Sequence, residues 1–408
     1  MHLPVSSLDE YLETEGCFAL PKSSTPQSAA QTRVLGLDVL RGVAGLSVLI
    51  FHAFLIEPTH QGWWMRFIGQ GAEGVGLFFI LSALTLGLSW DAHAKKGMAQ
   101  SRWAFWTRRF WRIAPLYYIA LLVAALFTRG NVQFAPRAMA HNPFTWGSLL
   151  AHLSFLFAWI PAYQNSWIGV GWSIGTEMSF YLLFPWIVEK VIPRVRPEGL
   201  VGIGLALVWG WPWFLTHLPF MQWPGWTGAF QLWSLPRQFI WFAIGLWIWK
   251  RSGWKPHSGL WALLWIALTL SLANERWINP QTELLVWVFP LGLLVWLVFH
   301  QHWAMRLFSR SRLLAYVGIR SYSLYLWHWL ILQAVLLRFV PDMHMTGTEG
   351  LLVRVAVLLP LSLGVSVVSY RFIEQPGIRY GRRWIARHAV LRSTSSSGNG
   401  GESLSDSR

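Results

Sequence analysis

Apolar runs of about 17 to 25 residues recur along this chain, each long enough to cross the hydrocarbon core of a bilayer. The run at residues 74–90, GVGLFFILSALTLGLSW, is typical. Only 12% of the residues are charged, against about 25% in soluble domains. An all-α integral membrane protein is therefore expected. The formal charge of +15 is concentrated in short loops and the C-terminal tail, as expected of cytoplasmic segments. The sequence offers no soluble basic surface, so no nucleic-acid partner is expected. One cysteine, Cys17, excludes an intrachain disulfide framework. The acidic N-terminus has neither a basic n-region nor an apolar core, and no cleaved signal peptide is expected.

Length and charge together predict ten transmembrane helices, at about 34–56, 74–90, 113–127, 172–189, 200–216, 230–249, 258–273, 283–299, 322–340 and 350–370, with both termini cytoplasmic. Lys95, Lys96, Arg102, Arg108, Arg109 and Arg112 fall between Asp91 and Ala114, which is read as a cytoplasmic loop. The apolar segment at 149–160 is short, and the charge pattern around it works only if it does not cross. Residues 1–33 read as a polar tail, 34–389 as the membrane unit, and 390–408, rich in Ser and Gly, as a disordered tail.

The first span, LDVLRGVAGLSVLIFH, carries Asp38, Arg41 and His52. Ionisable groups inside a span are costly and mark functional pathways by default. Eleven residues put Arg41 and His52 within roughly 20° of one helix face and about 16 Å apart, so a long substrate lying there would touch both. His52 reads either as a histidine hydrogen-bonded across the bundle or as a general base. Arg41 reads as snorkelling, or as paired with Asp38. Arg109 and Arg112, at (i, i+3) in WTRRFWRIAPLYY, fit positive-inside anchoring and also fit a phosphate cradle. Trp172, Ser173 and Glu177 open another span in WSIGTEMSFYLLFP, where Glu177 either pairs structurally or orients a base such as His52. His328, in SYSLYLWHWLIL, is placed nearer the cytoplasmic side, and it and Glu374, in YRFIEQP, read first as structural, with Glu374 pairing to a nearby basic residue such as Arg371. Most of the 30 tryptophans fit interfacial belts; Trp223, Trp226 and Trp233 are candidates to stack on sugar rings.

Taken in order, LDVLRGVAGLSVLIFH, GVGLFFILSALTL, RRFWRIAPLYY, WSIGTEMSFYLLFP, SYSLYLWHW and YRFIEQP closely resemble the membrane-bound acyltransferase 3 family, which O-acylates envelope carbohydrates in bacteria. The likeness covers about residues 35–378. It implies ten spans, acetyl-CoA or another acyl-CoA as cytoplasmic donor with no metal, a carbohydrate acceptor, and residence in the bacterial inner membrane. The resemblance implies catalytic roles for Arg41 and His52, with Glu177 beside them, and donor binding by Arg109, Arg112 and Arg41. Trp172, Ser173 and His328 are taken as substrate contacts. The sequence departs from the family pattern at Gly76, where an acid is frequent, at Met178, where a second acid is common, and at Ala83, usually glycine. These departures bear on acceptor choice or proton relay.

The expected chemistry is acyl transfer to a hydroxyl of an exported polysaccharide or glycolipid. His52 would serve as general base or as a nucleophile forming an acyl-imidazole. With no hydrolase-like domain after the last span, transfer is expected to finish within the membrane unit or on a separate partner. The alternatives are a glycolipid transporter or flippase using the same intramembrane charges, and a structural envelope component.

Overall fold

The computed structural model describes residues 27–56, 64–95, 102–127, 145–164, 167–218, 227–254, 259–273, 280–336 and 347–398. Among these the chain is 88% helical without a strand, which settles the fold class as all-α. The principal helices are α1 (Gln27–Leu55), α2 (Gly74–Lys95), α3 (Arg102–Phe127), α4 (Trp146–Leu153), α5 (Gly171–Trp186), α6 (Pro197–Thr216) and α7 (Leu235–Lys250). They continue with α8 (Leu260–Ala273), α9 (Pro280–Phe299), α10 (Arg312–Ile319), α11 (Ser321–Leu330), α12 (Gly347–Ser369) and α13 (Gln375–Gly398). The polar tail through residue 26, Trp223 and Trp226 lie outside the described residues.

Five helical stretches among the described residues are long and apolar enough to cross a membrane: Leu35–Leu55, Phe67–Ala94, Arg102–Leu126, Pro197–Thr216 and Gly347–His388. Several segments expected to cross are shorter as α-helix. Helices α5 and α7 run 16 residues each and α8 runs 14. A π-turn at Ile187–Val191 continues α5, and another at Ile331–Leu336 continues α11. The expected non-crossing segment breaks in two. Helix α4 is about 12 Å long, and Phe155, at a left-handed φ of 59°, separates it from a 3-10 turn at Leu156–Trp159. His152 pins this segment in place, donating from Nδ1 to Ser148 O (2.8 Å) and stacking on Phe157 at 4.3 Å. Burial pushes its imidazole down to about 4, so the ring stays neutral and Nε2 accepts the Trp167 N–H.

Three sequence expectations change. Helix α3 begins at Arg102, eleven residues before the expected span, so Arg102, Arg108, Arg109 and Arg112 are helical rather than looped. The run RWAFWTRRFWR holds no proline or glycine to interrupt a helix. Glu374 does not pair with Arg371: Arg371 is exposed over the Phe372 ring, whereas Glu374 is fully buried and accepts from Ser323 Oγ at 2.8 Å. Helix α13 also runs on to Gly398, past the expected boundary at 389.

Glycines set the closest helix contacts. A Cβ on Gly42 would meet Leu314 O at 2.1 Å, and one on Gly318 would meet Asp38 O at 1.8 Å. Helices α1 and α10 therefore touch backbone to backbone, the small-residue packing of membrane bundles. Between α2 and α7, the Trp241 indole covers Gly76, Trp249 covers Gly87, and Gly245 abuts the Ile80 carbonyl. Gly318→Leu should force α10 from α1 and destabilise by about 3 kcal/mol or more. Gly364, with open space around it, should take alanine without loss. Thermal unfolding of the purified variants in detergent checks both, and equal melting temperatures would contradict the packing.

Candidate active site

Helices α1, α2, α3, α5 and α11 enclose one cavity of about 130 Å³. Arg41 enters from α1. Its Nη1 donates to Asp38 Oδ1 at 2.7 Å, one turn back, and its Nη2 donates to Thr85 Oγ1 at 3.1 Å. Pairing with Asp38 and lining a cavity are thus compatible uses of Arg41. Arg109 and Arg112 reach the same cavity from the first turns of α3. Arg109 lies over the Tyr181 ring at 5.7 Å and the Phe105 ring at 5.8 Å, and its buried Nε has no hydrogen-bond partner among the described residues. Three guanidinia and two carboxylates, Asp38 and Glu177, line the cavity. That surplus of positive charge in an apolar bundle suits an anionic ligand.

Glu177 faces the cavity from α5 and is anchored from two sides. Ser82 Oγ donates to its Oε1 at 2.7 Å, and Tyr181 Oη donates to the same oxygen. It pairs structurally across the bundle, one of the two readings the sequence left open; no contact with His52 is made. Ser173 also lines the cavity, within 2.7 Å of Tyr325 Oη, and both hydroxyls meet the Val170 carbonyl. Trp172 stands outside the lining, stacked on Trp233 at 5.3 Å and 14°. One face of Trp233 is thereby engaged with Trp172.

His52 lies one layer beyond. Its Nδ1 is 2.9 Å from Val48 O and 3.1 Å from His328 Nε2. His328 is fully buried, and its Nδ1 is 3.2 Å from Leu324 O. The two histidines, separated by 276 positions, form a direct pair. His328 is therefore level with His52 rather than nearer the cytoplasmic side. Neither lines the cavity. Tyr325 does, with its ring 5.7 Å from His328 and 6.0 Å from Phe78. Tyr325 and Phe78 thus form the wall between the arginine cavity and the histidine pair.

The cavity gathers Arg41, Arg109, Arg112, Ser173 and Glu177, from three stretches of sequence, and leaves His52, His328 and Trp172 around its edge. The sequence reading passed over Ser82, Thr85, Tyr181, Tyr322 and Tyr325. Ser82 and Thr85 sit three apart in an otherwise apolar span, and Tyr325 precedes His328 by three; both are same-face spacings on a helix. Among the described residues no cluster of histidine, cysteine or acid side chains could hold a metal ion.

Residues 34–371 match a family model described as an acyltransferase domain. The chain is also 25% identical over 367 residues to O-acetyltransferase OatA of Staphylococcus aureus strain NCTC 8325 / PS 47, and equally to OatA of strain COL. Each alignment takes in 84% of this chain and 56% of the relative, so the chain spans little more than half the length of those proteins. No solved structure matches the chain.

The anchoring of Glu177 can be measured. Ser82→Ala and Tyr181→Phe each remove one donor and should each cost about 1–2 kcal/mol. Because both act on one oxygen, the double variant should depart from the sum of the two. Unfolding of the three proteins in one detergent tests this, and strict additivity would argue against a shared acceptor.

Proposed function

The chain belongs to the acyltransferase 3 family, and on that premise we propose that it moves an acyl group, acetyl first, from cytoplasmic acyl-CoA to a hydroxyl of an exported carbohydrate. The observation that carries the donor assignment is the convergence of Arg41, Arg109 and Arg112 on one cavity. Acyl-CoA is polyanionic at its nucleotide end and apolar along its pantetheine arm. Guanidinia bind phosphates through fixed, paired N–H donors, while Val75, Phe78, Phe79 and Ile113 supply an apolar lining. The setting is the bacterial inner membrane, crossed ten times with both termini cytoplasmic. The five long apolar helices and the basic start of α3 support that arrangement.

In this reading Arg109 and Arg112 hold donor phosphates, and Arg41, fixed by Asp38 and Thr85, guides the arm inward. The thioester then passes Tyr325, which leaves its hydrogen bond to Ser173, and meets His52. The acceptor hydroxyl approaches His52 from the opposite side. As the new C–O bond forms and the C–S bond breaks, the hydroxyl proton passes to His52 and then to the thiolate, giving ester and free CoA thiol. Glu177 holds Ser82 and Tyr181 in place at the cavity wall.

Two outcomes test the assignment in purified protein supplied with labelled acetyl-CoA and glycan fragments. Arg109→Ala with Arg112→Ala should weaken acetyl-CoA binding at least tenfold and leave glycan affinity unchanged. An unaltered donor affinity would remove the two arginines from the donor site. His52→Ala should abolish labelled-ester formation while the protein stays folded. Full activity in that variant would refute His52 as base or nucleophile, and movement of glycan without any ester would favour a flippase. Mass spectrometry of envelope glycans with and without the gene, read for loss of acetyl increments, identifies the acceptor.

A further inference from the structure

We infer that His328 is a positioning residue that, together with the Val48 carbonyl, fixes the tautomer of His52 and so places the basic lone pair on His52 Nε2. This rests on the reading of His52 as the base, and deepens it.

Leu324 O is a carbonyl and only accepts, so His328 Nδ1, 3.2 Å away, carries the proton. His328 is completely enclosed, and an enclosed imidazole with no carboxylate at hand is kept neutral by desolvation. A neutral imidazole protonated at Nδ1 presents Nε2 as an acceptor. That Nε2 lies 3.1 Å from His52 Nδ1. The same His52 nitrogen lies 2.9 Å from the Val48 carbonyl, a second group that only accepts. With acceptors on both sides, His52 Nδ1 must be the protonated nitrogen, and its Nε2 holds the lone pair. No hydrogen bond occupies that Nε2 among the described residues. His52 itself is half-buried, with Phe51 and Trp329 rings at 5.1 and 4.9 Å edge-on to it. The available nitrogen is therefore the one that faces away from the buried partner.

The consequence for transfer is electrostatic. When His52 Nε2 takes the hydroxyl proton, its Nδ1–H becomes the donor of a charge-assisted bond, with His328 Nε2 as one acceptor. His328 thus stabilises the charged form generated during the reaction without touching the substrate. The geometry also explains why a second histidine sits in a place no solvent reaches. An apolar side chain would fill the space but leave His52 Nδ1–H the Val48 carbonyl alone as acceptor.

His328→Leu tests the idea, with His328→Gln as the conservative counterpart, because a glutamine amide oxygen can accept where Nε2 did. We expect kcat for ester formation to fall about ten- to hundredfold in His328→Leu. KM for acetyl-CoA should stay unchanged, and most of kcat should return in His328→Gln. Equal losses in both variants that track the folded fraction would reduce His328 to packing and overturn the inference. A direct reading needs no variant at position 328. In wild-type protein carrying 15N-labelled histidine, the His52 signals, assigned by their absence from His52→Ala, should be those of the Nδ1–H form. A dominant Nε2–H form would overturn the inference even if His52 proves essential. Full activity in His52→Ala would instead fell the base assignment, leaving the tautomer measurement to stand or fall alone.

Discussion

The arrangement depends on one backbone contact, where α1 and α10 meet at Gly42 and Gly318. The carbonyl of Asp38 occupies the position a Gly318 side chain would take, and that of Leu314 the position of a Gly42 side chain. Helices pressed together this closely cannot slide by one residue without a clash, so their register is fixed. Ten residues beyond Gly42 is His52, and ten beyond Gly318 is His328. At about 1.5 Å per residue the two parallel segments rise equally, and the imidazoles arrive side by side. The bend at Arg320, between α10 and α11, does not disturb this match. The same contact holds the first turns of α1 steady, and with them Asp38 and Arg41. Two glycines thus set both ends of the site.

Around that contact, the ionisable side chains of the cavity are compensated in pairs and networks. An unpaired charge in an apolar bundle is costly. Arg41 has Asp38, and Glu177 has two hydroxyl donors. Arg109 is held by aromatic faces instead, which attract a cation without neutralising it. Gly76 fits the same pattern. There the Trp241 ring lies within 2.5 Å of where its Cβ would be. An acidic side chain would have to displace the indole, so the lining keeps Asp38 and Glu177 as its two carboxylates. Two carboxylates against three guanidinia leave the lining net positive, which suits an anionic ligand.

The helical class and the charged residues of the arginine cavity were legible in the sequence because both follow from local rules; its hydroxyl-bearing lining, Ser82, Thr85, Tyr181, Tyr322 and Tyr325, was not. Apolar length marks a helix in lipid, and intramembrane charge marks a site. The partnerships were not legible. Ser82 with Glu177, Ser323 with Glu374, and His52 with His328 join residues from different helices, and single-helix spacing carries no such information. The depth of His328 was misread for a related reason. Counting its span from 322 placed it about six residues, or 9 Å, into the membrane, whereas α10 already runs beside α1 from Leu314 onward. The start of α3 was misplaced because six basic residues look like a loop in composition, although nothing in them opposes a helix.

The wall between cavity and histidine pair also follows from the helix face that first suggested they were joined. Arg41 and His52 do share a face of α1, but a face some 16 Å long meets different neighbours at its two ends. At the Arg41 end α2 and α3 offer Thr85, Arg109 and Arg112; at the other, α11 brings in Tyr325 and then His328. Under the proposed reading, a donor pocket that opened directly onto His52 would expose the thioester to water and a base together and lose it to hydrolysis between turnovers. Tyr325, held by Ser173 and the Val170 carbonyl, separates the two, and on the proposed reading the arm of the donor would have to compete for its place. The hydrogen bond it would give up is a neutral one, worth about 1 kcal/mol net. Burial of an apolar pantetheine segment, at about 25 cal/mol per Å², offsets that within some 40 Å². Opening the wall thus costs little when donor is bound and gains nothing when it is absent.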